Sequence, residues 1–285
     1  MIPAFVNPTA GNAEEVDRAL RKAGCFDVRD VVPDRVTQSV QTAIDEGATR
    51  VAAVGGDGTI SAAAAAVART GVELVVIPAG TLNHFARDYG IPLDLDAACA
   101  NAMSERIRCV DVGWVNGRLF LNTSSVGAYA NFVRVRERLE HRVGYWMASA
   151  ISAVRTLVRM RPFKVWFQTE GVQRLYQTPI VFIGVGQREL KLPTLGNRLD
   201  GGRSGLHVMV VRGRTRARLL ALTFEAAARG TRAVSRTPKL DAFLVRECRI
   251  EQRHSTVAVD GEIVKVDSPL RYELGPAALK LVVPE

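Results

Sequence analysis

The first third of the chain alternates short apolar runs with helix-like stretches. Residues 2–6, 28–32, 51–54 and 74–77 are β-branched and largely apolar, whereas 13–23, 36–46 and the Ala-rich 59–69 read as helices. Strands that are apolar throughout are covered on both faces, as in a parallel sheet with helices on either side. The pattern predicts a doubly wound α/β domain, and ligands on such sheets sit beyond the carboxyl ends of the strands. After Arg108 the texture changes. Strand-like pieces at 111–115, 119–123, 179–185, 206–211 and 256–266 are set among Asn-Gly, Asp-Gly and Gly-Gly turns, the grammar of antiparallel hairpins. Helical stretches are predicted at 143–160 and 218–229. The second domain is therefore expected to be β-rich with helices packed on it. The division is placed near residue 125, giving 1–125 and 126–285, with the last strand free to return to the first domain. There is no internal repeat and no low-complexity linker.

Charge sharpens this division. The net charge is +9, yet residues 1–125 carry 11 Lys+Arg against 15 Asp+Glu, while residues 126–285 carry 27 against 14. A basic second half suits a solvated Arg-rich surface, nucleic acid or an anionic membrane face. Cys25, Cys99, Cys109 and Cys248 are far apart and form no Cys-x-x-Cys pair, so neither a disulfide framework nor a structural zinc site is expected, and a reducing cytoplasm fits. The opening residues read as a first strand rather than a leader. The charge-free, mildly apolar stretch 143–154 has 12 residues, whereas a bilayer span needs roughly 20.

Three polar turns follow predicted strands. Val54 to Thr59 reads Val-Gly-Gly-Asp-Gly-Thr, Ile77 to Asn83 reads Ile-Pro-Ala-Gly-Thr-Leu-Asn, and Asn7-Pro8-Thr9-Ala10-Gly11 ends the first strand. Glycines let backbone approach a ligand closely, and a helix amino terminus offers N–H groups and a positive dipole end to phosphate. An ordinary βα turn in which Asp57 caps the helix would look the same. Two adjacent glycine turns favour one nucleotide site. Phosphate loops of the G-x-x-x-x-G-K-[ST] type, H-E-x-x-H and G-x-S-x-G are all absent, and the histidines are scattered. A dehydrogenase reading of Gly56-x-Gly58-x-x-Ser61 lacks its third glycine, and Glu73 precedes its strand rather than ending it.

These residues resemble the diacylglycerol kinase catalytic-domain family, which includes soluble bacterial lipid kinases and the sphingosine and ceramide kinases. The resemblance lies in Asn7 to Gly11, Gly55 to Thr59, Pro78 to Arg87 with Tyr89-Gly90-Ile91-Pro92 after it, residues 142–165, and Asp260-Gly261-Glu262. Gly-Gly-Asp-Gly-Thr alone is shared with NAD kinases, which leaves an NAD kinase-like phosphotransferase as an alternative; the stretch from Gly80 to Arg87 is more specific to the lipid kinases. The resemblance implies an ATP site between an α/β domain and a sandwich-like domain, with Mg²⁺ as cofactor and a lipid alcohol, foremost diacylglycerol, as acceptor. It implies Asn7, Gly55, Gly56, Asp57, Gly58, Thr59, Gly80, Thr81 and Asn83 for nucleotide and metal, and Glu262 as general base. Asp57 and Asp200 are the implied metal carboxylates. The family's Asp-Asp-Gly-x-Leu segment is represented only by Leu199-Asp200-Gly201-Gly202, and His84 stands where many members carry Asp. These departures keep open a nucleotide- or lipid-binding protein without turnover.

The partners expected are the lipid alcohol and an anionic membrane surface, with no nucleic acid; a homo-oligomer is compatible. The membrane-facing stretch is expected between Arg134 and Lys164. There Trp146, Met147, Ile151, Val154, Leu157 and Val158 recur at helical spacing among arginines. Such a stripe equally describes a helix packed into the core.

Overall fold

The structure, a computed structural model, describes residues 1–8, 13–144, 147–148, 151–152, 154–156, 161–190, 195–199, 201–211, 240–252 and 256–285. It separates into two compact units, Met1–Val112 with Gly275–Glu285, and Gly113–Leu274. The division lies at 112/113 rather than near residue 125, and the chain returns to the first unit at 274/275. Composition could not place the first crossing, because it falls inside one uninterrupted strand, β5 (Ile107–Val115).

In the first unit, β1 (Ile2–Val6) lies between β2 (Phe26–Asp30) and β3 (Arg50–Gly55). β4 (Glu73–Pro78) follows, and then the carboxyl-terminal part of the last strand, β18 (Leu270–Val282). All these neighbours run parallel. Because side chains alternate across a strand, Ala4, Val6, Ala52, Val54, Val75 and Ile77 form one buried face. They pack with Val16, Ala19 and Leu20 of α1 (Ala13–Ala23) and with Ala98 and Cys99 of α5 (Leu95–Asn101). The opposite face is covered by α2 (Val36–Asp45), which contacts β1, and by α3 (Asp57–Val67), which contacts β3 and β4. This is the doubly wound arrangement predicted. Helix α5 was missed, although Asp94 announces it by accepting the Ala97 N–H at 2.9 Å.

The second unit is antiparallel. One sheet runs β14 (Leu240–Val245), β13 (Leu206–Val211), β10 (Ile180–Val185), β7 (Thr123–Gly127), β16 (Thr256–Val259), β17 (Glu262–Lys265). The other runs from the first residues of β18 through β15 (Glu247–Glu251) and β8 (Phe163–Thr169) to β9 (Val172–Thr178). Their inner faces share one core, with Val126, Val181, Ile183 and Leu206 against Phe167, Ile250, Leu270 and Tyr272. The Phe167 and Phe243 rings stack across it at 5.3 Å. Burial pushes the Cys248 thiol in this core up to about 12.

Two expectations are corrected here. Residues 119–123 are not one strand: β6 (Arg118–Phe120) stops, and β7 starts at Thr123. Residues 128–143, which the pattern left unassigned, form α6 (Ala128–Val143). Of the stripe expected from 146 to 158, Met147 and Val154 are 60% and 62% exposed, while the small Ala148 and Ser152 are buried. Those two apolar side chains therefore do not lie in the core. Trp146, Leu157, Val158 and the helix expected at 218–229 lie outside the described residues.

Candidate functional site

At the carboxyl ends of three neighbouring parallel strands, the polar turns of the first unit come together. Parallel register sets Val6 beside Val54, and Gly55 beside Pro78. The Asn7 N–H donates to the Val54 carbonyl at 3.2 Å, and the Ala79 N–H to the Gly55 carbonyl at 2.9 Å. Beyond that edge the Gly56 and Gly80 backbones touch: a Cβ on Gly80 would stand 2.5 Å from Gly56 Cα and 2.9 Å from Asn83 Oδ1. Any side chain at Gly80 would force the two turns apart. Gly55 is restricted as well, since a Cβ there would meet Thr59 Oγ1 at 2.7 Å.

Asn83 shapes the second turn from within. Its Oδ1 accepts the Gly80 N–H at 3.0 Å and its Nδ2 donates to the Gly80 carbonyl at 2.8 Å. It sits at φ 51°, a left-handed conformation that asparagine tolerates better than most residues. Asp57, at the start of α3, reaches across to α4 (His84–Asp88). Its two carboxylate oxygens accept the His84 and Phe85 N–H groups, each at 3.1 Å. Asp57 thus caps the neighbouring helix rather than its own, and ties the two glycine turns together. The residue that precedes α3, Gly56, has no side chain to cap it, so among the described residues the first N–H groups of the helix carry no side-chain cap. Gly58 and Thr81 are exposed, while Thr59 and Asn83 are buried. His84 is held through its backbone and its side chain is exposed.

Glu262 belongs to the second unit. It follows a two-residue turn, Asp260 at φ 46° and Gly261 at φ 88°, which joins β16 to β17 as a hairpin. The hairpin reading of Asp260-Gly261 was correct but incomplete. The Asp260 carboxylate also accepts the N–H groups of Leu121, Asn122 and Thr123, at 2.7, 2.8 and 2.9 Å. These bonds explain the break between β6 and β7: three consecutive amides point at one carboxylate instead of a neighbouring strand. The only sequence signal was an acid in a turn, which does not say which distant segment it holds. Glu262 itself is 59% exposed and accepts a 3.3 Å contact from Arg118. Asp200 and the end of the first turn, Thr9 to Gly11, lie outside the described residues.

Comparison with known proteins places these features. Residues 2–115 match the family model of the diacylglycerol kinase catalytic domain. The "Probable lipid kinase YegS-like" of Pseudomonas syringae pv. tomato is 38% identical over 120 residues, covering 35% of this chain and 39% of that protein. The protein of that name from Cronobacter sakazakii is 30% identical over 152 residues, covering 52% of this chain and 50% of its own. The matched stretches therefore span about two fifths to one half of these relatives' length. In fold the likeness extends over 99% of the chain. A crystal structure of a diacylglycerol kinase from Bacillus anthracis str. Sterne superposes with a TM-score of 0.70 at 18% identity, covering 99% of this chain and 96% of the other. Another from the same organism reaches 0.75 at 21% identity over the same shares.

Proposed function

We propose that this chain, whose residues 2–115 match the diacylglycerol kinase catalytic-domain family, is an ATP- and Mg²⁺-dependent lipid kinase. It transfers the γ-phosphoryl group to a lipid hydroxyl, with diacylglycerol as first candidate. The observation that carries this reading is the contact between Gly56 and Gly80. Two turns without side chains close on each other at a sheet's carboxyl edge, beside an uncapped helix start, which is the surface a polyphosphate needs. Asn7, Gly55, Gly56, Gly58, Thr59, Gly80, Thr81 and Asn83 shape that surface; Asp57 fixes it and keeps carboxylate lone pairs available.

The residues fit a magnesium ion shared with substrate. Among the described residues no three His, Cys, Asp or Glu side chains converge into a metal cage. Asp57, with Asp200 as second carboxylate, would hold the ion together with phosphate oxygens and water, the usual manner for this cation. Bound there, magnesium neutralises charge on the transferring phosphate. The protein's own contribution is positioning and one proton. Glu262 Oε1 has no hydrogen bond among the described residues, so it can take the proton as the hydroxyl attacks phosphorus.

The acceptor lives in a membrane. Reversible docking of a cytoplasmic enzyme on anionic bilayers is supported by the exposed Met147, Ile151 and Val154 and by the basic composition of residues 126–285. No described helix is long and apolar enough to cross a membrane. The test incubates the full chain with γ-labelled ATP and a panel of lipid alcohols presented in anionic vesicles. Label on diacylglycerol is expected. ATP binding without label on any lipid overturns the kinase reading, and NADP formed from NAD would replace it with the NAD kinase alternative.

A further inference from the structure

A cavity in the first unit is lined by none of the residues of the glycine turns. It has a volume of about 450 Å³ and is lined by Tyr89, Gly90, Arg106, Ile107, Arg108, Val283 and Pro284. Two features distinguish it from a random surface groove. Arg106 and Arg108 both line it, Arg106 just before β5 and Arg108 within it. Neither has a carboxylate partner among the described residues, in a unit where Arg21, Arg29 and Arg50 each do.

Both arginines are also held in place by groups that leave donors available. The Arg108 guanidinium carbon lies 5.4 Å from the centre of the Tyr89 ring, a cation–π contact that consumes no N–H donor. Tyr89 is itself buried against Phe85, ring centres 4.9 Å apart. Arg106 donates one Nη1–H to the Pro284 carbonyl at 3.2 Å. Its backbone is pinned on both sides, accepting the Val283 N–H at 3.0 Å and donating to Ser104 Oγ at 3.1 Å. The guanidinium has five donors, so most remain for a ligand.

We infer that the Arg106–Arg108–Tyr89 cavity is an anion site that takes a phosphate dianion, free or as a monoester, separate from the phosphate surface of the glycine turns. Guanidinium forks match pairs of oxygens on a phosphate dianion, and such charge-assisted bonds are roughly twice as strong as neutral ones. A divalent cation is repelled by the same pair. The ligand chemistry has two sources, a free phosphate and the headgroup of a phosphorylated lipid.

The experiment titrates the full chain with inorganic phosphate by calorimetry, with a non-hydrolysable ATP analogue saturating the glycine turns throughout. Binding is expected to persist in the wild type and to weaken about tenfold or more in Arg106→Gln/Arg108→Gln, the scale of losing charge-assisted hydrogen bonds. Affinity for the analogue itself should be unchanged in that variant. Tyr89→Phe keeps the ring under Arg108 and should bind phosphate as the wild type does. A parallel arm compares vesicles of phosphatidylcholine with and without phosphatidic acid: a preference for phosphatidic acid that vanishes in the double variant assigns the headgroup, and its absence assigns free phosphate. Phosphate binding that survives both arginine substitutions, or no binding once the analogue is present, overturns the site.

Discussion

Asp57 in the first unit and Asp260 in the second both stand beside glycine in a turn, and both aim two carboxylate oxygens at backbone N–H groups. They differ in what those amides belong to. Asp57 takes the first two amides of a short helix, so it fixes the relation between the two glycine turns. Asp260 takes three consecutive amides of a strand break and locks them against the β16–β17 hairpin. One acid ties together the turns proposed as the phosphate surface; the other closes a piece of framework. The same residue in the same sort of turn is therefore a site residue or a clamp according to where its partners lead.

The largest effect on stability should follow Asp260→Ala, which leaves three amides without their charged acceptor, a loss of about 3 kcal/mol or more. Trp114, Trp146 and Trp166 all belong to the second unit, so tryptophan fluorescence in a urea titration reads this unit alone. Asp260→Asn retains one acceptor oxygen and tolerates the left-handed backbone, so it should fall between wild type and Ala. A midpoint for Ala that matches the wild type would show that the clamp contributes nothing.

Asp57→Ala should be milder for the fold, since a lost helix cap is worth about 1 kcal/mol, and far more severe for turnover. Faster hydrogen exchange at the His84 and Phe85 amides, with global unfolding little changed, is the expected signature. Turnover should be abolished. Near-normal activity would remove Asp57 from the site and make it a second clamp, erasing the contrast with Asp260.

An uncharged acceptor gives a third point of comparison. His207 Nδ1 accepts the Arg188 N–H at 3.1 Å, and burial lowers its pKa below the ordinary 6.5. The unfolded chain then binds the proton more readily than the folded one, so stability is full above pH 6.5 and declines as pH falls below it. His207→Gln keeps an acceptor without a titrating ring and should flatten that decline. An unchanged pH profile would assign it to other groups.

Much of this was legible beforehand. The parallel domain could be read because its strands are apolar on both faces, and the three polar turns because glycine and aspartate after an apolar run have few other uses. What could not be read were relations between distant residues. Nothing local tells that Asp57 caps α4 instead of α3, or that Asp260 holds residues 121–123. Nor does charge-free composition tell core from surface: Met147 and Val154 share helical spacing with buried Ala148 and Ser152, and only packing separates them. The crossing at 112/113 was hidden because one strand serves both units.

The smallest effect on the fold, and the sharpest test of the comparison, concerns Glu262, two residues after the clamp. Its contact with Arg118 is long, and both side chains are more than half exposed; such surface pairs contribute roughly 0–1 kcal/mol. Glu262→Gln keeps the size and polarity of the side chain and should leave the urea midpoint within error of the wild type. The proposed chemistry is affected differently. An amide cannot take the proton of the attacking hydroxyl, so turnover should fall about 10²-fold or more, the scale of a general base. ATP binding should be unchanged, because the glycine turns belong to the other unit. Arg118→Gln removes the same ion pair without removing the base, and separates the two roles. If both variants lose turnover alike, the pair serves to position the hairpin; if only Glu262→Gln does, the carboxylate acts on the proton. Wild-type turnover in Glu262→Gln would move the base elsewhere, with Asp200 next to be tested, and would leave the Asp260 hairpin as framework throughout.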